Sequence, residues 1–244
     1  MRYLILSDLH ANLQALDAVI EDAQAIGYDA VLVLGDLVGY GADPAAVIDR
    51  TLALEPAAMI RGNHDKVCAG IESPLLFNDA ARVSAEWTAE VLDEEHLGVL
   101  RSLPKGPQLV NAGIEICHGT PFDEDHYVFD DHDASRAADS ARARICLFGH
   151  THVPAIYATA QDPVVAAPEA TDLLRLPREA PALINVGSVG QPRDGDPRAA
   201  YGVLDLEAGT LQLRRVPYDI AAAQSAILTA GLPEWLAFRL ERGQ

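Results

Sequence analysis

Short apolar runs recur along the chain, and each gives way to Asp, His, Asn or Gly. Residues 2 to 6 (RYLIL) form one such run, ending in Ser-Asp, and residues 11 to 26 then carry Leu13, Leu16, Val19, Ile20 and Ile26 at helical spacing. Gly27 reads as the stop of that helix. Ala30 to Leu34 (AVLVL) predicts a second buried strand, followed by Gly35 and Asp36, which completes a strand, helix, strand unit and implies parallel pairing. Asp43 and Pro44 suit the cap and first turn of a further helix. Ala57 to Ile60 predicts a third strand, ending at Arg61-Gly62-Asn63-His64-Asp65. In all three units the polar motif lies just past the C-terminal end of an apolar strand, where open α/β sheets place their sites.

From about Asn78 to Leu103 the pattern predicts two helices. After Pro104 the apolar segments shorten: 108 to 110, 114 to 117, 145 to 148 and 153 to 157 read as strands. Residues 160 to 181 combine prolines with poor periodicity and predict a surface hairpin or loop insertion. Strands at about 182 to 186, 200 to 206 and 210 to 216 follow, with two helices after Tyr218 and Leu232. Without an internal repeat or low-complexity tract, residues 1 to 244 are expected to form a single domain.

Composition narrows the function. Of 244 residues, 49% are apolar and 22% charged, enough to bury a core without disulfides. The formal charge of −18, with no run of Lys or Arg to offset it, argues against binding bulk nucleic acid or anionic lipid. It does not exclude a small phosphorylated substrate, because divalent cations reverse the local field inside a cleft. Cys68, Cys117 and Cys146 are too scattered for a thiolate zinc site and read as reduced, mostly buried thiols. The first strand leaves no room for a cleavable signal and no apolar stretch reaches spanning length, so no membrane association and a cytoplasmic location are expected.

Five of the eight histidines, His10, His64, His118, His150 and His152, sit in short Gly- or Asp-bearing motifs after apolar runs. Asp8 and His10, like His150 and His152, are two positions apart. In an extended backbone such residues share a side, so each pair is expected to address one ion. Asp36 and Asn63 add a carboxylate and an amide oxygen, and with His118 the candidate ligands number seven. If Asp36 bridges, each of two metals receives four protein ligands. Carboxylate, imidazole and amide donors without thiolate suit Mn, Fe, Co, Ni or Zn. Such a pair of ions, roughly 3.5 to 4 Å apart, acidifies a bridging water and clamps phosphoryl oxygens for in-line attack. The remaining histidines read as bland: His96 as solvated, His126 and His132 as part of a solvated or ion-paired acidic loop from Asp123 to Asp133. Asp65 either braces a ligand or His64, or caps the next helix.

Taken in order, Asp8-x-His10, Gly35-Asp36, Gly62-Asn63-His64-Asp65, His118-Gly119-Thr120 and Gly149-His150-Thr151-His152 resemble the calcineurin-like metallophosphoesterase superfamily over roughly residues 1 to 205. The resemblance implies a four-layer α/β/β/α sandwich, two mixed β-sheets flanked by helices, with the metals at one sheet edge. It implies that Asp8, His10, Asp36 and His152 hold one metal, divalent or part of a mixed-valence pair with Mn or Fe favoured, and that Asp36, Asn63, His118 and His150 hold the other. His64 would remain unligated, near the substrate, and protonate the leaving oxygen as general acid. The protein phosphatase branch reads Gly-Asp-x-Val-Asp-Arg-Gly where this chain reads Gly35-Asp36-Leu37-Val38-Gly39-Tyr40-Gly41. The carboxylate expected to orient His64 and a phosphate-binding guanidinium are thereby lost, and Arg61 or Arg193 is the candidate replacement cation. Asn185-Val186-Gly187-Ser188 resembles the corresponding stretch of small bacterial phosphoesterases, many active on phosphodiesters. A phosphodiesterase-type hydrolase is therefore expected, with phosphomonoester or dinucleoside polyphosphate hydrolysis as the alternative, and a non-catalytic scaffold of the same fold as the different class.

Overall fold

The computed structural model describes residues 1–158, 173–176 and 181–244. In chain order its elements are β1 (Arg2–Leu6), α1 (Leu13–Ile26), β2 (Ala30–Val33), α2 (Pro44–Leu52), β3 (Ala58–Met59), α3 (Asn63–Cys68), α4 (Asp79–Val91), α5 (Glu94–Ser102), β4 (Gln108–Asn111), β5 (Ile114–Ile116), α6 (Asp131–Ser140), β6 (Ile145–Phe148), β7 (Ala155–Ala158), β8 (Leu173–Arg175), β9 (Ala182–Asn185), β10 (Ala199–Asp205), β11 (Thr210–Val216), α7 (Ile220–Thr229) and α8 (Glu234–Phe238). Two sheets result, ordered β3-β2-β1-β10-β11-β8 and β4-β5-β6-β9-β7.

The central strands β1, β2, β6 and β9 are almost wholly apolar because both of their faces are covered. Along β1, Tyr3 and Ile5 enter the core between the sheets, whereas Leu4 and Leu6 pack against the helices outside. Likewise Ile145 and Leu147 of β6 face the first sheet, while Cys146 and Phe148 meet Ala134 and Ala137 of α6. On the opposite surface Leu16, Val19 and Ile20 of α1, Val47 and Ile48 of α2 and Leu100 of α5 cover the first sheet. The order is helices, sheet, sheet, helix, the α/β/β/α sandwich that the sequence motifs imply.

Local chemistry sets the element boundaries. The Asn12 side chain accepts from Ala15 N at 3.1 Å and starts α1, and Gly27, at φ 81°, ends it. Pro44 opens α2 as expected, but Asp43 does not cap it through its side chain, which instead accepts from Gln14 Nε2 at 3.3 Å. The insertion expected at about 160 to 181 lies mostly outside the described residues. Its described portion, Leu173–Arg175, pairs antiparallel with Thr210–Gln212 at the edge of the first sheet.

Strand direction creates the site. In the first sheet β1, β2 and β3 run parallel, and in the second β5, β6 and β9 do. The loops leaving these six C-terminal ends meet: His118 Nδ1 lies 2.8 Å from Leu34 O, and His150 N donates to Asp8 Oδ1 at 3.1 Å. Loops from both sheets thus build one concavity.

Candidate metal centre

All seven predicted ligand positions converge. Ligand atoms of Asp8, His10, Asp36 and His152 lie within 4.8 Å of one another, as do those of Asp36, His118 and His150, so Asp36 belongs to both groups. Asn63 joins the second group, its Oδ1 3.2 Å from His118 Nε2. His10, His118 and His152 each turn Nδ1 toward a main-chain carbonyl, of Val38 at 3.1 Å, Leu34 at 2.8 Å and Gln191 at 2.6 Å. These carbonyls favour a ring proton on Nδ1 and aim each Nε2 into the cluster, the orientation metal-binding imidazoles adopt. His150 is reversed. Its Nε2 faces Asp125 O at 3.1 Å, leaving Nδ1 as the donor.

The backbone that delivers these groups is not extended. Asp8, His10, Asp36, His150 and His152 all have positive φ, between 48° and 69°. The two-residue spacing therefore does not act as it would on a strand: Asp8 and His10 do share a group, but His150 and His152 part to different ones. A left-handed non-glycine residue costs about 1–2 kcal/mol, and neighbouring loops hold these five in place. Asp8 N donates to Gly35 O at 3.1 Å and His10 N to Asp36 O at 2.9 Å. Glycines permit the closeness: a Cβ at Gly62 would stand 2.1 Å from Asp36 Oδ1, and one at Gly149 would stand 2.1 Å from Ser7 Oγ.

Electrostatics fit bound cations. Burial, reinforced by Asp36, pushes the Asp8 carboxyl up to about 6. Burial would do the same to Asp36, but His118 and His64 overcome it and hold that carboxylate well below its usual range. Against its own burial His118 is pushed up to about 10 by Asp36, 3.3 Å away, and by Asp8. Two buried carboxylates thus draw a proton onto an imidazole, the demand for positive charge that bound cations answer. Burial forces His10, His150 and His152 the other way, toward the neutral form that ligates.

His64 stands beside the centre. Its ring is packed between Tyr40, 4.3 Å away between centroids, and Phe77, 4.6 Å away, and lies edge-on to His10 at 5.0 Å. Its Nδ1 is shielded from solvent and has no hydrogen-bond partner among the described residues. Burial, with Arg193 and His118 adding to it, lowers its pKa to about 4 despite Asp36.

The two candidate arginines differ. Arg61 is engaged through Nε and Nη2 with Glu124, at 3.2 and 3.0 Å. Among the described residues Arg193 has only neutral acceptors, Tyr40 Oη at 3.3 Å and Gln191 Oε1 at 3.0 Å, and its buried Nε has no partner. Asp65 settles its own two readings by doing both jobs: Oδ1 accepts from Leu37 N and Val38 N at 2.8 and 3.2 Å, and Oδ2 accepts from Gly62 N at 2.9 Å. It starts α3 and fixes the loop carrying Asp36. Asn185 and Ser188 support from the other side, Nδ2 donating to Gly149 O at 2.8 Å and Oγ to Asp8 O at 2.7 Å. His96 pairs with Asp93 and Asp49, and His126 with Asp133, away from the centre.

Tyr40, Phe77 and Tyr127 escaped the sequence reading. Tyr127 stacks on His150 at 3.7 Å between centroids. Nothing in their spacing separates them from ordinary apolar packing; their roles come from loops that meet only in three dimensions.

The comparisons agree with this architecture. The family model for the calcineurin-like phosphoesterase superfamily domain matches residues 1–209. The chain belongs to that superfamily. It is similar to a metallophosphoesterase from Sphaerobacter thermophilus, 38% identical with a TM-score of 0.89 over 100% of this chain and 99% of that one. An uncharacterized protein of Methanocaldococcus jannaschii is 34% identical over 98% of this chain and 97% of its own length. A hypothetical protein from Pyrococcus horikoshii shares the fold at 22% identity, with a TM-score of 0.78 over 100% of this chain and 98% of that one. Among the described residues no helix is long and apolar enough to cross a membrane.

Proposed function

We propose that this chain is a two-metal hydrolase of small phosphodiesters, nucleotide-type esters among them. The observation that carries the reading is Asp36: one carboxylate within 4.8 Å of two otherwise separate ligand groups, as a bridging ligand must be. Asp8, His10, Asp36 and His152 would hold one ion, and Asp36, Asn63, His118 and His150 the other, with Mn or Fe favoured by the mixed oxygen and nitrogen donors. When bound, the ions would acidify water and polarise phosphoryl oxygens.

The chain's own residues supply the rest. Arg193, whose hydrogen bonds among the described residues go only to neutral partners, is free to donate to a phosphoryl oxygen. His64, clamped between Tyr40 and Phe77, protonates the leaving oxygen, and a bound phosphate anion would raise its proton affinity from the low value that burial sets. Gly39 and Tyr40, in place of the Asp-Arg pair of the protein phosphatase branch, leave fewer cationic donors for a dianionic monoester. That favours the singly charged diester.

Metal-reconstituted enzyme offered bis(p-nitrophenyl) phosphate and p-nitrophenyl phosphate tests this. Mn- or Fe-stimulated turnover of the diester in preference to the monoester is expected. Preference for the monoester would move the assignment to a phosphomonoesterase, and absence of stimulation by Mn, Fe, Co, Ni and Zn on both would leave a catalytically silent scaffold.

A further inference from the structure

A cleft of about 220 Å³ opens beside Asn63 and His150, between the segment Glu72–Phe77 and the segment Asp125–Tyr127. The metal ligands do not need it, and its lining is of two kinds. Phe77, Leu76 and Tyr127 make it apolar, and the apolar character continues outward: Leu76 is 90% exposed, and Phe129, stacked on Tyr127 at 5.1 Å and 7°, is 75% exposed. Water-facing side chains of this size grouped at a cleft mouth mark a binding surface.

The polar element is Asp125. Asp125 lines the cleft with its side chain 42% exposed, and Lys66 Nζ, a buried group of α3, grips its Oδ2. A carboxylate fixed in this way has lone pairs left to accept an N–H and repels a phosphate. The volume falls short of the ~300 Å³ at which pockets begin to hold whole drug-sized ligands, so the cleft suits a single ring system. Aromatic walls, one fixed acceptor and a position next to the second ligand group describe a planar heterocycle joined to a phosphate.

We infer that this cleft is a nucleoside subsite: the base lies among Phe77, Leu76 and Tyr127, donates an N–H to the exposed side of the Asp125 carboxylate, and carries its phosphate ester to the side of Asn63 and His150. The inference rests on the phosphoesterase reading above and narrows it to nucleotide esters.

The test compares kcat/KM of the metal-loaded enzyme for guanosine 5′-(p-nitrophenyl phosphate), phenyl p-nitrophenyl phosphate and ethyl p-nitrophenyl phosphate, which share a leaving group. The nucleoside ester is expected to exceed both others by about tenfold, as stacking on aromatic side chains would give. Leu76→Asp, at an exposed position that should not disturb folding, is expected to bring that ratio to about twofold. The ratio is insensitive to a general loss of activity. Equal values for the three esters, or a phenyl ester as good as the nucleoside ester, would overturn the subsite. If no ester is cleaved with any metal, the phosphoesterase reading fails on its own, and calorimetric titration with guanosine decides the subsite. Binding to the wild type that Leu76→Asp abolishes supports it; absence of binding to the wild type overturns it.

Discussion

Gly39 lies against His64 so closely that a Cβ at position 39 would stand 2.3 Å from His64 Nδ1. This is the position at which the protein phosphatase branch carries its Asp, so the residue whose loss the sequence reveals is in contact with the very imidazole it would orient. Among the described residues no carboxylate hydrogen-bonds this ring; Tyr40 and Phe77 hold it by packing. Gly39 also has φ of +85°, which a side chain tolerates poorly. Gly39→Ala is expected to lower stability by about 1–3 kcal/mol and, by displacing His64, to reduce kcat by about 10²-fold. Urea midpoints and turnover of a diester measure both. Unchanged values would mean that the loop yields and His64 is not fixed by it.

Asp65 is buried and accepts three main-chain N–H groups, from Leu37, Val38 and Gly62. Asp65→Ala leaves those donors unsatisfied and should cost about 3 kcal/mol or more. The same loop carries Asp36, so metal affinity should fall with stability, by about 10- to 100-fold. Calorimetric Mn titration of the variant, below its melting temperature, would detect the loss.

Which parts of this were legible in the sequence follows from the physics of each part. Strands buried on both faces leave uninterrupted apolar runs, so β1, β2, β6 and β9 stood out. The C-terminal ends of parallel strands are where sites form, so Asp8, Asp36 and Asn63 could be placed together without coordinates. The conformation of the loops was hidden. Asp8, His10, His150 and His152 are left-handed rather than extended, and no pattern of side chains reports φ in a non-glycine residue. Two-residue spacing alone suggested that His150 and His152 could share an ion; their ligand atoms fall in different groups, as the family resemblance implied. Arg61 looked free because its partner, Glu124, is 63 residues away. The aromatic packing of Tyr40 and Phe77 on His64 likewise joins separate loops, which periodicity within one element cannot reveal.

Asp22 ties α1 to the first sheet. It accepts from Arg214 Nη2 at 2.8 Å and from Tyr201 Oη at 2.6 Å. Burial alone would raise this carboxyl, but Arg214 and Tyr201 outweigh it and hold its pKa below the usual value. A carboxyl depressed in the folded state contributes stability that is present above its unfolded pKa, about 3.9, and lost as pH falls through the folded value. Asp22→Asn is therefore expected to lose about 1–3 kcal/mol near neutral pH and progressively less below about pH 4. Paired denaturation curves from pH 7 to pH 3 check the convergence. A difference independent of pH would assign the effect to packing instead.

Metal stoichiometry tests the shared role of Asp36 most directly. After Mn loading and removal of free ion, elemental analysis of the wild type should give about two ions per chain, the number a bridged two-metal site holds. His152→Ala, which removes a ligand from one group only, should retain about one. Asp36→Asn, which weakens both groups at once, should retain well under one. Two ions retained by Asp36→Asn, or one ion in the wild type, would contradict the account.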